Sequence, residues 1–200
     1  MSLNTILGLL GCGLLSLAAV ATLIRLRRLP VRARYAVMLA ATLAVFVPIG
    51  DLSVAAYVRG VTGDLSMATL VLVGAACFTQ VTGRELIGHR DKQVLCWLLA
   101  LAAAFLYPFA LGWTRFDPYA LGYGSVEFVT ALLLITLAAW GARLNLIVLV
   151  VVIAVLAFLG GAYESRNLWD TLIDPLVSVY ALVRLLRRRS VYSSPLSQSP

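Results

Sequence analysis

Carboxylates are the side chains of this chain whose positions point to chemistry. Seven of the nine Asp and Glu residues fall in three short connections between long apolar segments. The first connection repeats the tetrapeptide Gly-Asp-Leu-Ser and brings Asp51 and Asp64, and the third brings Asp170 and Asp174, whose spacing of four residues suits one helical face. Carboxylates in such places attract cations, bind hard divalent metals or act as general acids and bases. Convergence on one cavity would make them a site, whereas dispersal would leave them as separate surface charges.

The candidate site consists of charged residues from the three connections: Asp51, Asp64, Arg115, Glu127, Arg166, Asp170 and Asp174. Several of them also suit a purely structural role. Asp and Ser accept hydrogen bonds at helix starts, so each Gly-Asp-Leu-Ser is expected to open a helix, the first a short interfacial one over Val54–Arg59. Asp174 followed by Pro175 likewise suits a helix start, in which case the residues before Asp174 form a loop. Glu127 either pairs with Arg115 or reaches the lipid headgroups.

Other kinds of catalytic or metal chemistry have no pattern in the sequence. His89 is the only histidine, and the three cysteines, Cys12, Cys77 and Cys96, lie in apolar stretches without a CxxC pair. Neither zinc nor haem ligation is therefore expected. The HExxH, GxSxG and Walker A patterns are absent as well. We expect no metal and no cofactor, and the sequence leans away from an enzyme.

The composition indicates what kind of protein must position these residues. The 200 residues are 62% hydrophobic and 12% charged, with a mean hydropathy of +0.95, whereas soluble domains carry about 25% charged residues. The net charge of +7 comes from residues that flank apolar segments, which is a membrane pattern and excludes a nucleic-acid-binding module. The sequence predicts an all-α, polytopic membrane helix bundle in one domain, residues 1–189, followed by a disordered polar tail, residues 190–200.

Seven apolar segments are candidates for crossing a bilayer, which takes about 17–25 residues. They are Leu3–Ile24, Tyr35–Gly50, Ser66–Thr82, Val94–Gly112, Val126–Ala142, Leu146–Tyr163 and Leu168–Leu186. The last segment is the least regular, because it contains two aspartates and a proline. Gly141 and Asn145 interrupt what would otherwise be one overlong helix, and they leave Arg143 in a tight turn.

Charge predicts the orientation of this bundle, since cytoplasmic connections are enriched in Lys and Arg. With the N-terminus outside and the C-terminus in the cytoplasm, 13 of the 16 basic residues lie inside, and seven of the nine acidic residues lie outside. Basic residues follow the first apolar segment rather than precede it, which argues against a cleaved signal peptide. We expect a multi-pass protein of a bacterial inner membrane. Two arginine clusters are expected to contact anionic lipid headgroups: Arg25, Arg27 and Arg28, and Arg187, Arg188 and Arg189.

Three functions remain open at this point. The first is a non-enzymatic small subunit or accessory factor of a membrane assembly, with another membrane protein as its partner, which the short connections favour. The second is a small transporter or substrate-binding membrane subunit whose acidic outer vestibule concentrates cations. The third is an interfacial enzyme acting on a lipid-linked substrate, with the carboxylates as acid, base or metal ligands and Arg115 and Arg166 for phosphate.

Overall fold

A computed structural model describes residues 3–112 and 116–192, and in these ranges most of the chain is helical. The prediction of an all-α protein is confirmed. The helices are α1 (Leu3–Leu23), α2 (Val31–Phe46), α3 (Val54–Thr62), α4 (Met67–Thr82), α5 (His89–Ala110), α6 (Val126–Gly141), α7 (Asn145–Leu159), α8 (Leu168–Leu172) and α9 (Pro175–Tyr192), with 3-10 turns at Leu26–Arg28 and Pro118–Tyr123. Of the predicted polar tail, residues 190–192 belong to α9 and residues 193–200 lie outside the described ranges.

Both Gly-Asp-Leu-Ser repeats open a helix, as the sequence predicts, and the serine is the capping residue in each. The Ser53 side chain accepts a hydrogen bond from the Ala56 amide at the start of α3, and the Ser66 side chain accepts one from the Thr69 amide at the start of α4. The two aspartates are therefore not needed for these caps. The tight turn predicted at Arg143 is confirmed, with a φ of 59°.

A β-hairpin with two residues in each strand follows α2, and the sequence did not predict it. β1 (Pro48–Ile49) pairs antiparallel with β2 (Leu52–Ser53), and Gly50 adopts a φ of 73° in the turn between them. Proline has no amide hydrogen and does not continue a helix, so α2 ends at Phe46, before Pro48. The predicted segment Tyr35–Gly50 is thus shifted towards the N-terminus.

The predicted segment Leu168–Leu186 is not one helix. α8 ends at Leu172, Ile173 is extended with φ −142° and ψ 144°, and α9 begins at Pro175. Proline disfavours the helical conformation at the residue before it, which explains the break at Asp174. The interpretation that places Asp170 and Asp174 on one helical face is therefore wrong, and the alternative of a helix start at Asp174–Pro175 is correct.

The helices pack around two apolar clusters. The larger joins α4, α5, α6, α7, α8 and α9, with Ile147, Ala154 and Ala181 almost fully buried. The smaller joins α1, α2, α3 and α4 around Leu17 and Cys77. α1 lies against both α3 and α4, and a Cβ on its Gly11 would come within 2.9 Å of the Leu70 side chain. α1 therefore approaches α4 closely at this glycine.

Two of the described helices are long and apolar enough to cross a membrane. They are Asn4–Leu23 within α1 and His89–Phe109 within α5, whereas α4, α6 and α7 are apolar but shorter. The helices are compatible with membrane association. Their lengths alone do not establish seven spans.

Candidate functional site

One end of the helix bundle has an open cavity of about 1010 Å³. It lies between the first turns of α1, the α3–α4 connection, the end of α5, the turn Pro118–Tyr123 and the segment from Tyr163 to Pro175. Five charged side chains line it: Arg59, Asp64, Glu164, Asp170 and Asp174. Three tyrosines, Tyr107, Tyr119 and Tyr163, supply aromatic and hydroxyl surface. We call this space the acidic cavity, because four of its five charges are negative.

The structure brings together three of the predicted site residues and separates the others. Asp64, Asp170 and Asp174 all line the acidic cavity, although the first and the last are 110 positions apart in the sequence. Asp51 lies in the turn of the β-hairpin, Glu127 in the first turn of α6, and both are exposed away from the cavity. Arg166 is exposed and does not line it either, and Arg115 lies outside the described residues.

Asp64 is neutralised by a guanidinium that the sequence pattern did not single out. Arg59 Nε lies 2.7 Å from Asp64 Oδ1 and Nη2 lies 3.2 Å from Oδ2, so the pair is bidentate. Glu164 Oε1 is 3.7 Å from the same Nη2 atom. The hydrogen bond to Asp64 raises the pKa of Arg59. We call this contact the ion pair.

The ion pair fits against the backbone of α1 because that helix has a glycine at the contact. A Cβ on Gly8 would collide with Asp64 Oδ1 and with Arg59 Nε. Each side chain of the pair is 20% exposed. The first turns of α1 thus form one wall of the acidic cavity and hold the ion pair in place.

Asp174 joins two helix starts. Its Oδ1 accepts a hydrogen bond from the Val177 amide at 2.8 Å, which caps α9. Its Oδ2 accepts from the Ser66 amide at 2.8 Å and from the Thr69 hydroxyl, both at the start of α4. The residue is only 7% exposed. With both oxygens engaged by donors, the carboxylate holds α4 and α9 together, and its role is structural.

Asp170 has a neutral partner instead of a cation. The Tyr119 hydroxyl donates to Asp170 Oδ2 at 2.8 Å. Burial, together with this hydrogen bond, raises the pKa of Tyr119 to about 12, so the phenol remains a donor at neutral pH. Within the described residues Asp170 forms no salt bridge. It is therefore the partly buried carboxylate of the cavity whose charge is not compensated by a cation.

The turn that carries Tyr119 is tied to α8 by two further hydrogen bonds. Asn167 Nδ2 donates to the Tyr119 carbonyl at 2.9 Å, and Trp169 Nε1 donates to the Pro118 carbonyl at 3.0 Å. A Cβ on Gly122 would collide with the Asn167 side chain, so the approach depends on that glycine. These hydrogen bonds to backbone carbonyls of the turn place the Tyr119 hydroxyl next to Asp170.

Tyr163 lines the side of the cavity next to the ion pair. Its hydroxyl donates to the Leu65 carbonyl. The charged and tyrosine residues of the cavity that the sequence-based site lacks are Arg59, Glu164, Tyr107, Tyr119 and Tyr163. One signal was available for Arg59, which the sequence places in the predicted short helix five residues before Asp64.

The arrangement has limited chemical possibilities. Among the described residues no three His, Cys, Asp or Glu side chains are close enough to hold a metal ion. An uncompensated carboxylate beside tyrosine rings instead suits an organic cation, which binds through charge and through the faces of aromatic rings.

Comparison with known proteins does not assign this arrangement to a family. No protein-family model, no curated protein and no solved structure matches the chain.

Proposed function

We propose that the chain is a multi-pass protein of the bacterial inner membrane, with about seven membrane-crossing segments, its N-terminus outside and its C-terminus in the cytoplasm. The surface of the helices that fall short of a full span supports this placement. Leu39 and Leu43 of α2, Leu134 of α6 and Leu156 of α7 are each more than 60% exposed. Leucines that face outward on several helices suit contact with lipid acyl chains.

The short helices are compatible with this proposal. α4, α6 and α7 have 15 or 16 residues, which is about 24 Å at 1.5 Å per residue. A hydrocarbon core of about 30 Å accepts such segments when the bilayer thins locally or flanking residues reach the interface. The broken segment α8–α9 crosses in this arrangement with α9 alone, while α8 lies at the cavity end.

Charge supports the proposed orientation. The acidic cavity and the connections with seven carboxylates lie at one end of the bundle, and the arginine-rich connections after α1 and at the end of α9 lie at the other. Because cytoplasmic connections are the basic ones, the acidic cavity opens to the outside.

We infer that the acidic cavity binds a small organic cation, which makes the chain a transporter or a substrate-binding membrane subunit. The observation that carries this inference is the convergence of Asp64, Asp170 and Asp174 in one cavity. Asp64 is paired with Arg59 and Asp174 has donors on both oxygens, whereas Asp170 has no cation and accepts from Tyr119 on one oxygen. A volume of about 1010 Å³ admits an organic molecule, since ligand sites typically measure about 300–1,000 Å³. Tyr107 and Tyr119 line the same space and suit an ammonium or guanidinium group.

The geometry favours this function over the other two. An interfacial enzyme on a lipid-linked substrate needs arginines for phosphate, yet Arg59 is engaged by carboxylates and Arg166 lies away from the cavity. The accessory-factor hypothesis predicts dispersed surface charges, whereas three candidate carboxylates converge. A partner protein in the membrane stays a prediction.

The proposal is tested with the full chain in lipid nanodiscs. The melting midpoint is measured with three organic cations, tetramethylammonium, ethanolamine and agmatine, and with acetate and glycerol as anionic and neutral controls. A ligand that binds only the folded state raises the midpoint in a saturable manner. We expect this rise with at least one cation, its loss in Asp170→Asn, and its retention in Glu127→Gln, which removes a carboxylate at the same end but outside the cavity.

Uptake of the cation that binds, measured in proteoliposomes, then separates a transporter from a binding subunit. Cation binding that is equally strong in Asp170→Asn and the wild type contradicts the assignment of the site. A midpoint that no cation raises contradicts the proposed function.

A further inference from the structure

A second pocket, at the opposite end of the bundle, carries the opposite charge. It has a volume of about 260 Å³ and contains Arg27, Lys92 and Arg184, with Gln80 and the exposed Glu85 on its wall. The three basic residues come from the turn after α1, the first turn of α5 and the second half of α9. We call this space the basic pocket.

The cations of the basic pocket have no acidic partner within the residues that the structure describes. Lys92 Nζ lies 6.0 Å from the centre of the Tyr180 ring, and Arg184 Nη1 donates to the Tyr180 hydroxyl at 3.4 Å. The neighbouring Asp91 is engaged elsewhere, because its Oδ2 accepts a hydrogen bond from the Leu146 amide at the start of α7. Lys92 and Arg184 are both partly buried and line the same pocket, and neither forms a salt bridge with a described residue.

An apolar groove continues from the basic pocket along the bundle. Its volume is about 210 Å³, and it runs between α1, α4 and α9, lined by Leu15, Ala18, Leu72, Val73, Leu176 and Tyr180. Ala76 and Lys92 line both spaces, so the groove and the basic pocket meet at these two residues. A cationic pocket that opens into an apolar groove has the two-part chemistry of an amphiphile site.

We propose that this joined site binds one anionic phospholipid, with its phosphate between Lys92 and Arg184 and one acyl chain in the groove between α1, α4 and α9. The inference rests on the membrane placement proposed above but not on cation binding in the acidic cavity. Charge complementarity identifies the headgroup, since a phosphate supplies the counterion that the two basic side chains lack. The groove is lined by apolar side chains and the Tyr180 ring, which identifies the acyl chain as its occupant.

This site differs from general attraction between the arginine clusters and the membrane surface. Lys92 is the only lysine of the chain, and Lys92 and Arg184 are partly buried on either side of Tyr180, whereas Arg28 and Arg187 are exposed. General attraction to the membrane surface depends on the net charge of the chain, whereas binding in the basic pocket depends on Lys92 and Arg184 themselves. Variants of equal net charge therefore separate the two.

The test is native mass spectrometry of the full chain in detergent with added phosphatidylglycerol or with phosphatidylcholine of the same acyl chains. We expect one phosphatidylglycerol to be retained in preference to phosphatidylcholine. Lys92→Gln/Arg184→Gln weakens its binding by about thirty-fold, because each basic residue near a lipid headgroup contributes about five-fold. The matched control Arg28→Gln/Arg187→Gln removes the same charge from outside the pocket and keeps the preference.

The groove is tested independently by filling it. Ala76→Leu places a larger side chain where the groove meets the pocket and is expected to abolish retention, whereas Ala138→Leu, on an exposed position of α6, leaves it unchanged. Size-exclusion profiles show whether each variant is folded. If Lys92→Gln/Arg184→Gln does not fold, retention of phosphatidylglycerol by Ala76→Leu tests the proposal instead.

Three outcomes overturn the proposal. The first is an equal loss of phosphatidylglycerol binding in the two charge-matched double variants, and the second is retention of phosphatidylglycerol by Ala76→Leu. The third is binding of free glycerol phosphate as tight as that of the lipid, which would make the pocket a site for a soluble anion. None of them bears on the cation titrations of the acidic cavity, so failure here and failure of the proposed function are distinguishable.

Discussion

Replacement of Asp174 by asparagine is expected to destabilise the fold strongly, because this one carboxylate closes the starts of two helices. Oδ1 accepts from the Val177 amide of α9, while Oδ2 accepts from the Ser66 amide and the Thr69 hydroxyl of α4. Asparagine keeps a single acceptor oxygen. Its NH₂ group must then face a donor on one side or the other, which leaves a buried amide hydrogen without an acceptor.

The size of the effect follows from the hydrogen bonds that the substitution removes. A hydrogen bond to a charged group contributes about 1.5–3 kcal/mol, and a buried donor left without a partner costs about 1–3 kcal/mol. Asp174 is 7% exposed, so water does not replace the missing acceptor. We therefore expect Asp174→Asn to lower the free energy of unfolding by about 3–5 kcal/mol, taking one broken bond and one unsatisfied donor together.

The assay is equilibrium unfolding of the purified chain in mixed micelles with increasing SDS, followed by circular dichroism. Ser53→Ala is the matched control, because it removes one cap, at the start of α3, and should cost only about 1 kcal/mol. A loss in Asp174→Asn no larger than that in Ser53→Ala would falsify the structural role of this carboxylate. Normal stability with an abolished response to organic cations would instead make Asp174 part of the ligand site.

Three further predictions concern the walls of the acidic cavity. Gly8→Ala displaces the ion pair and lowers the free energy of unfolding by about 1–3 kcal/mol in the same SDS assay. Gly74→Ala is the control: its Cβ meets the nearest neighbouring atom at an ordinary 3.7 Å, so the substitution is neutral or stabilising. Gly122→Ala moves the turn that carries Tyr119 and reduces cation binding in the nanodisc assay. Gly141→Ala, which has open space at its Cβ, leaves cation binding unchanged. Equal cation binding in the two variants would refute the role of that turn. Folding raises the pKa of Tyr119 from 10.0 to about 12. The stability that its protonated form contributes is therefore present below pH 10 and is lost as the pH rises from 10 through 12. In thermal melts over this range, Tyr119→Phe should lose less stability than the wild type does.

Local signals in the sequence predicted much of the fold. Six of the seven apolar segments correspond to single helices, since long apolar runs bounded by Gly, Ser, Asn or Pro favour helices with definite ends. Both Gly-Asp-Leu-Ser repeats open helices for the same reason. The segment Leu168–Leu186 was mispredicted because its hydrophobicity outweighed the proline signal, although Asp174–Pro175 already suited a helix start.

The site could be predicted only in part, because it depends on contacts between distant segments. The acidic connections themselves identify Asp64, Asp170 and Asp174, but nothing local shows that Asp51 and Glu127 face away from them. The contact between Tyr119 and Asp170 spans 51 residues and requires the close approach at Gly122. Such partners follow from packing, which a pattern of residue types along one chain does not specify.

The four carboxylates of the acidic cavity differ in how their charge is balanced, and this difference makes Asp170 the most informative position. Asp64 faces a guanidinium, Asp174 is surrounded by hydrogen-bond donors, and the side chain of Glu164 is 72% exposed to solvent. Asp170 is partly buried and has only a neutral phenol beside it. A cation about 4 Å from such a charge gains about 4 kcal/mol at an effective dielectric constant near 20. Much of the affinity for a cation should therefore depend on this single residue, and the loss in Asp170→Asn should greatly exceed the loss from removing any exposed carboxylate at the same end.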